Sequence, residues 1–320
     1  MVEDLPTPSR SSMPPRKTRQ RQIGAFSRLQ DEVVQGPATR RPLYERLEKD
    51  LGSGSRVVAF FTSFTWPVLI DDQDADMLEE TLRNTITSGD RLVLLLNSPG
   101  GDALAAERIV NVCNGFSNGS FSVIVPKMAK SAATMVCLGA SEIGMSRNSE
   151  LGPIDPQILV PGEQGQQARY LAAHEIRRSF ESLMQQAVEG AGRIEPLLQQ
   201  LSRYDARDME WIRSQQELSK SIAIKLLKNG ALNSLADEEI ETHIRPFLDP
   251  AFTKAHGRPI YHDVAKRCGL NIKLYPLKDS FWGAVWELYV RLRHVVTDPS
   301  RGISKIVESS KETYTAEFRA

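Results

Sequence analysis

Between Leu94 and Gln157 the chain sets a glycine pair, a serine and an aspartate in an order that could carry out acyl transfer. The glycines are Gly100 and Gly101 in Asn97-Ser98-Pro99-Gly100-Gly101-Asp102, between an apolar run and a helical pattern. Glycine there can take backbone conformations closed to other residues and present a bare N–H. The serine is Ser131, in Ala129-Lys130-Ser131-Ala132-Ala133-Thr134-Met135, at a strand-to-helix junction. A serine hydroxyl attacks a carbonyl only when a base takes its proton. The start of a helix holds the backbone while exposing the oxygen, and it points free N–H groups toward developing negative charge. The N–H of Ala132, with that of Gly100 or Gly101, would form an oxyanion hole, in which one donor can contribute about 2.7–4 kcal/mol in the transition state. The plainer alternatives are an N-cap serine and a tight strand–helix turn.

Asp155 lies between two prolines in Gly152-Pro153-Ile154-Asp155-Pro156. Prolines restrict the backbone on both sides, so this carboxylate is held, as suits the group that orients a catalytic imidazole. The histidines are His174, His243, His256, His262 and His294. His174 sits in a polar helical pattern, His262 beside Asp263, and His294 after Arg291 and Arg293. His256 precedes Gly257 and Pro259 at the mouth of a turn, and local context favours it as the base. A serine–lysine dyad ranks lower. No lysine occurs between Ser131 and Lys220, Lys130 is adjacent and leaves in another direction, and Lys127 precedes the helix.

These residues need a layered scaffold, and the pattern supplies one. Arg56 to Phe61 reads as a strand and Ala75 to Thr87 as a helix with Met77, Leu78, Leu82 and Ile86 on one face. Arg91 to Asn97, RLVLLLN, reads as a strand buried on both faces. Ala103 to Cys113 is a helix, Ser120 to Val125 a strand, Ser131 to Gly139 a short helix and Glu142 to Met145 a brief strand. Strands and helices alternating over short connections predict a parallel α/β sheet. Gln166 to Val188, Ile194 to Tyr204 and Arg207 to Leu227 read as long helices. Ala255 to Pro276 reads as turn, helix and closing strand, and Phe281 to Val296 as an amphipathic helix. Trp282, Trp286 and Tyr289 on that helix form a packing stripe, for the core or for a subunit interface. Residues 1–54 are expected to be a basic, Pro-rich tail with a short helix near 40–50, residues 55–276 the working domain, and residues 277–320 a helix followed by a frayed end.

Composition removes several function classes. Forty basic residues balance 40 acidic ones, so charge offers no argument for nucleic acid or an anionic membrane. No window approaches the ~18 consecutive apolar residues of a membrane span, and the expected location is cytoplasmic. Cys113, Cys137 and Cys268 are isolated, which argues against a disulfide framework or a zinc site.

The segments LNSPGGD, AKSAATM and LGPIDPQ together resemble the Clp protease/crotonase superfamily, and within it the serine dehydrogenase proteinase family, distant relatives of signal peptide peptidase A. The resemblance covers residues 55–275. AHGRPIYHDVAKRCGLNI is similar to a late histidine-containing segment of that family and implies His256. The family's triad order, serine, aspartate, histidine, is matched by Ser131, Asp155 and His256. The Clp-type order is excluded, because no histidine follows Ser131 at the distance of Asp155. Two features depart from the family: the basic tail replaces an N-terminal membrane segment, and Lys-Ser-Ala replaces Gly-x-Ser. The resemblance implies a Clp protease/crotonase-like spiral of ββα units with additional C-terminal helices used in homo-oligomer contacts. It also implies a serine peptidase that acts without ATP by itself on a peptide or protein, with no metal or organic cofactor. A catalytically inactive peptide-binding member and a crotonase-like enzyme acting on coenzyme A thioesters are the rival readings.

Overall fold

The computed structural model describes residues 36–160, 169–190, 192–249 and 258–318, with Ala25 and Leu29. The basic tail and His256 lie outside these residues. Helix α1 is Arg41–Leu51, followed by β1 (Ser55–Thr62), α2 (Asp72–Thr85), β2 (Arg91–Asn97), α3 (Ala103–Phe116) and β3 (Ser122–Ile124). The next elements are β4 (Met128–Ala129), α4 (Ala132–Leu138), β5 (Glu142–Met145), β6 (Glu150–Leu151), and a hairpin of β7 (Gln157–Val160) and β8 (Arg169–Ala172). Helices α5 (Ala173–Glu189), α6 (Ile194–Leu201), α7 (Ala206–Lys228), α8 (Asp237–His243), α9 (Arg245–Leu248) and α10 (His262–Arg267) come next. The last elements are β9 (Ile272–Leu274), α11 (Ser280–Thr297), β10 (Ile303–Ser309) and β11 (Thr313–Glu317).

The central sheet has the order β11-β10-β1-β2-β3-β5-β9. From β1 to β9 neighbouring strands are parallel, and β10 and β11 add antiparallel at the β1 end. Alternation along each strand divides the core in two. Val58, Phe60, Leu92, Leu94 and Leu96 face a layer containing α2, α3, α4 and α7. Val57, Ala59, Phe61, Val93 and Leu95 face α1 and α11. Both faces are therefore covered, which is why RLVLLLN is apolar without alternation. The packing stripe on α11 belongs mainly to this second layer: Trp282 and Tyr289 are buried, while Trp286 is 36% exposed.

The expected frayed end is instead a two-stranded ribbon on the edge of β1. Its register is Val58 opposite Ser309 through Thr62 opposite Lys305. Buried charge explains why the ribbon does not read as strand. Lys305 Nζ donates to Asp71 at 2.7 Å and to Asp74 at 2.8 Å. Arg40 grips Glu308 with two parallel bonds, one from Nε to Oε1 at 2.7 Å, and Thr313 donates to the same carboxylate at 2.8 Å. The helical expectation from Gln166 is also shortened: the described chain pairs in β8 before α5 begins at Ala173.

Two stability outcomes follow from these pairs. Glu308→Ala leaves the buried Arg40 guanidinium without its carboxylate, so unfolding free energy by urea denaturation should fall by about 3–5 kcal/mol. Burial pushes the Asp74 carboxyl up from 3.8 to about 6, outweighing the attraction of Lys305. Between those values the native state holds more protons than the unfolded chain, so this contribution to stability is lost as pH rises through that window. The stability difference between wild type and Asp74→Asn should shift in the variant's favour from about pH 4 to about pH 7.

Candidate active site

Ser131 is half-buried and has φ 49° and ψ −120°. Among the described residues Asn118 is the other non-glycine with positive φ. The hydroxyl makes no cap bond to α4, so the plain N-cap reading is not realised. The strain comes from constraints on both sides. Upstream, Ser98 N donates to Met128 O at 3.1 Å, Lys130 N donates to Ser98 O at 3.0 Å, and Met128 N donates to Asn97 Oδ1 at 3.2 Å. Downstream, Ala133 N reaches Lys130 O at 2.9 Å and Met135 N reaches Ser131 O at 3.1 Å. The chain turns from pairing into helix within one residue, and Ser131 absorbs the change. Thr134 Oγ1 lies 2.8 Å from Ala129 O and 3.0 Å from Gly152 O, and accepts from Gly152 N, tying α4 to the turn that carries Asp155.

The glycine pair packs directly against this corner. A Cβ on Gly100 would stand 2.5 Å from Lys130 O and 2.7 Å from Ser131 Cβ, and one on Gly101 would stand 2.2 Å from Ile70 O. Gly100 N is engaged by Ser98 Oγ at 3.1 Å. Among the described residues, neither Gly101 N nor Ala132 N has a protein acceptor. These two main-chain donors therefore stand free on either side of the contact. Asp102 caps α3 through a 2.8 Å bond from Ala105 N.

Ser131 opens into a groove of about 310 Å³ whose walls include Phe64, Leu69, Met135, Ile154 and Trp211. Phe64, Leu69 and Trp211 are exposed at 43%, 46% and 52%. Trp211 and Ser219 come from α7 and were not legible as site residues. The available signal was a tryptophan on an otherwise polar helix.

Ile154 and Pro156 line the groove, while Asp155 between them lines a neighbouring cavity of about 590 Å³ with His174, Arg177, Gln216 and Asp249. Asp155 is buried. Its Oδ1 accepts from Gln216 Nε2 at 2.8 Å and its Oδ2 from His174 N, in the first turn of α5, at 3.2 Å. Burial raises its carboxyl pKa, against the lowering effect of these donors. The structure thus brings Ser131, Gly100, Gly101 and Ala132 to one corner, from which Ser131 and Gly101 line the groove, and holds Asp155 at its border. No histidine or lysine among the described residues lines that groove. Lys130 points elsewhere, with Nζ 2.9 Å from Glu150 Oε2. The described flanks of the segment containing His256 are laced to the turn carrying Asp155. Ile154 N donates to Phe247 O at 2.8 Å, and Leu151 and Ile260 exchange bonds of 2.9 and 3.0 Å.

A serine at a strained strand–helix corner, between a glycine pair and a Gly-Pro turn, is an arrangement that can be compared with known proteins. Residues 60–166 match the family of ClpP-like SDH-type serine proteinases. This is the family that the motifs resemble, and the match takes in Gly100, Gly101, Ser131, Ala132 and Asp155 while ending before His256. Two uncharacterized proteins of Methanocaldococcus jannaschii are each 40% identical over 65 residues, 20% of this chain and 22% of the relative. The chain thus spans about a fifth of the length of the curated relatives it matches. Outside the segment shared with the SDH-type proteinases, α7 supplies one wall of the groove. No described helix is long and apolar enough to cross a membrane.

Strain at Ser131 has a measurable consequence. Glycine accepts the positive φ that serine and alanine resist, at an entropic cost in the unfolded chain. Ser131→Gly should therefore be more stable than Ser131→Ala by about 1 kcal/mol in urea denaturation. Equal stabilities would show that the corner is relaxed.

Proposed function

We propose that the protein is a serine peptidase in which Ser131 is the nucleophile. The observation that carries this reading is the strained Ser131, uncommitted to capping, between two main-chain N–H groups without acceptors among the described residues. The matched family, one of serine proteinases, supports the reaction class. In this reading a peptide carbonyl enters the groove with its oxygen toward Gly101 N and Ala132 N. Ser131 Oγ forms the bond to carbon as His256 takes its proton. The carbonyl π electrons move onto oxygen, where the two donors meet the charge they were fixed to receive. Collapse breaks the C–N bond, His256 returns the proton to the leaving amine, and water repeats the cycle on the acyl-enzyme. Asp155 orients the imidazole. Its carboxylate has about four acceptor positions, and Gln216 and His174 N use two, leaving capacity for a third partner.

Placement of His256 is supported by the hydrogen bonds that tie Phe247 and Ile260 to Ile154 and Leu151. The short β4–β6 ladder and the Ser98–Ala129 bridge beside the main sheet support a spiral of ββα units. Exposed Met184, Val188, Ile194 and Leu198 on α5 and α6 support self-association through the added helices.

The second reading is an inactive peptide-binding module, favoured by the absence of histidine and lysine from the groove among the described residues. Labelling with a fluorophosphonate, followed by peptide mapping, separates the two. The expected result is an adduct on Ser131 in wild type that is lost in Ser131→Ala and in His256→Ala, with both variants folded. A folded wild type that binds peptide and takes no label would replace the peptidase reading with the binding module.

A further inference from the structure

On the opposite side of the segment that walls the groove, the C-terminal ends of β1 and β2 meet the last turns of α11 around a cavity of about 110 Å³. Its polar lining is unusual in sign. Lys127 and Arg293 both face it, and no aspartate or glutamate does. Among the described residues neither cation forms an ion pair, although most other lysines and arginines near the sheet do. The uncharged lining is rich in donors as well. Thr62 Oγ1 is buried without a hydrogen-bond partner among the described residues. Asn97 commits its carbonyl oxygen to Met128 N at 3.2 Å, and its amide group has no protein acceptor among the described residues. A buried hydroxyl left unsatisfied is costly, so a polar occupant is favoured.

A simpler role would be for the cations to neutralise the carbonyl end of α11. Two carbonyls of that last turn already have partners: Thr297 Oγ1 donates to Arg293 O at 2.8 Å and Asp298 N to His294 O at 3.0 Å. The cavity also lies where open α/β sheets commonly bind ligands, outside the carboxyl ends of parallel strands.

We propose that this cavity is a binding site for a small oxyanion, held by Lys127 and Arg293 with Thr62 and Asn97 as neutral donors. Its size admits one phosphate or carboxylate group and excludes a nucleotide. Phe64 lines both this cavity and the groove of Ser131, so the anion packs against the segment that walls that groove. The site does not depend on the role assigned to Ser131.

The test is calorimetric titration of the full chain with inorganic phosphate, repeated with Lys127→Met, Arg293→Met and the double variant. Both side chains reach solvent, so these variants should fold, which circular dichroism checks. The expected result is saturable binding to wild type that weakens with added salt, falls on the order of tenfold or more with each single change, and vanishes in the double variant. A peptide with a free C-terminus that competes with phosphate, where its amidated form does not, would identify the anion as a chain terminus. Competition by neither peptide would identify a free anion. Phosphate heats that are absent, or equal in wild type and double variant, would overturn the proposal.

Discussion

The contact between Gly100 and the Lys130–Ala132 corner is the constraint on which the site depends. The strand ends β2 and β4 deliver two turns to the same place, and no side chain fits between them: the nearest atom to a Cβ at position 100 would be main-chain oxygen at 2.5 Å. Main chain cannot rotate away as a flexible side chain can. Glycine there is therefore a requirement of proximity as well as of its φ of 105°. From that closeness come the bonds of Ser98 to Met128 and Lys130. From those bonds comes the abrupt entry into α4 that forces Ser131 into a conformation serine resists. Gly101 N and Ala132 N, left over when Gly100 N pairs with Ser98, owe their position to the same interlock.

This corner can bear strain because the platform beneath it is over-determined. Strand β2 is buried on both faces, and β1 is flanked by β2 on one side and by the C-terminal ribbon on the other. The ribbon's buried ions favour one register. Lys305 meets Asp71 and Asp74 only when Thr62 lies opposite it, and Glu308 meets Arg40 in that same alignment. A slip of one residue would carry each charge to the other face, away from these partners. Such pairs contribute little net stability when compared with apolar packing but penalise wrong pairing heavily. The edge that a bare β1 would expose is closed by the same device.

Legibility in the sequence followed the range of the interactions. Strands β1 and β2 and helices α2, α3 and α11 were readable because apolar spacing alone specifies them, and the structure moves their ends by a few residues. The ribbon was not readable, because Lys305 and Glu308 are buried by partners more than 200 residues away, and a pattern reader assigns charges to solvent. The Gly100–Ser131 corner was readable because glycine pairs and strand–helix serines leave local signatures. What Asp155 touches was not: Gln216 and the α5 N-terminus meet it from 61 and 19 residues along the chain. The aromatic wall from α7 was hidden for a related reason. Trp211 points away from the core that helical periodicity detects.

The two halves of the proposed chemistry rest on different physics. The oxyanion donors are main-chain groups fixed by packing, and almost any side-chain drift around them leaves the N–H vectors in place. The proposed base, His256, would come from a distant segment, and the described flanks of that segment, Phe247 and Ile260, bond to the turn of Asp155. Burial of Asp155 makes its charge costly in the resting site, as the raised carboxyl shows. That cost is recovered when a cation develops beside it, because attraction between charges is screened less where water is excluded. An imidazole on Asp155 would thus be favoured most at the moment it accepts the proton of Ser131. The same carboxylate without an imidazole partner is simply a cap for α5. In the proposed reading, cleavage rests on Asp155 and an imidazole partner, while the Gly100–Ser131 interlock would serve cleavage and peptide binding alike.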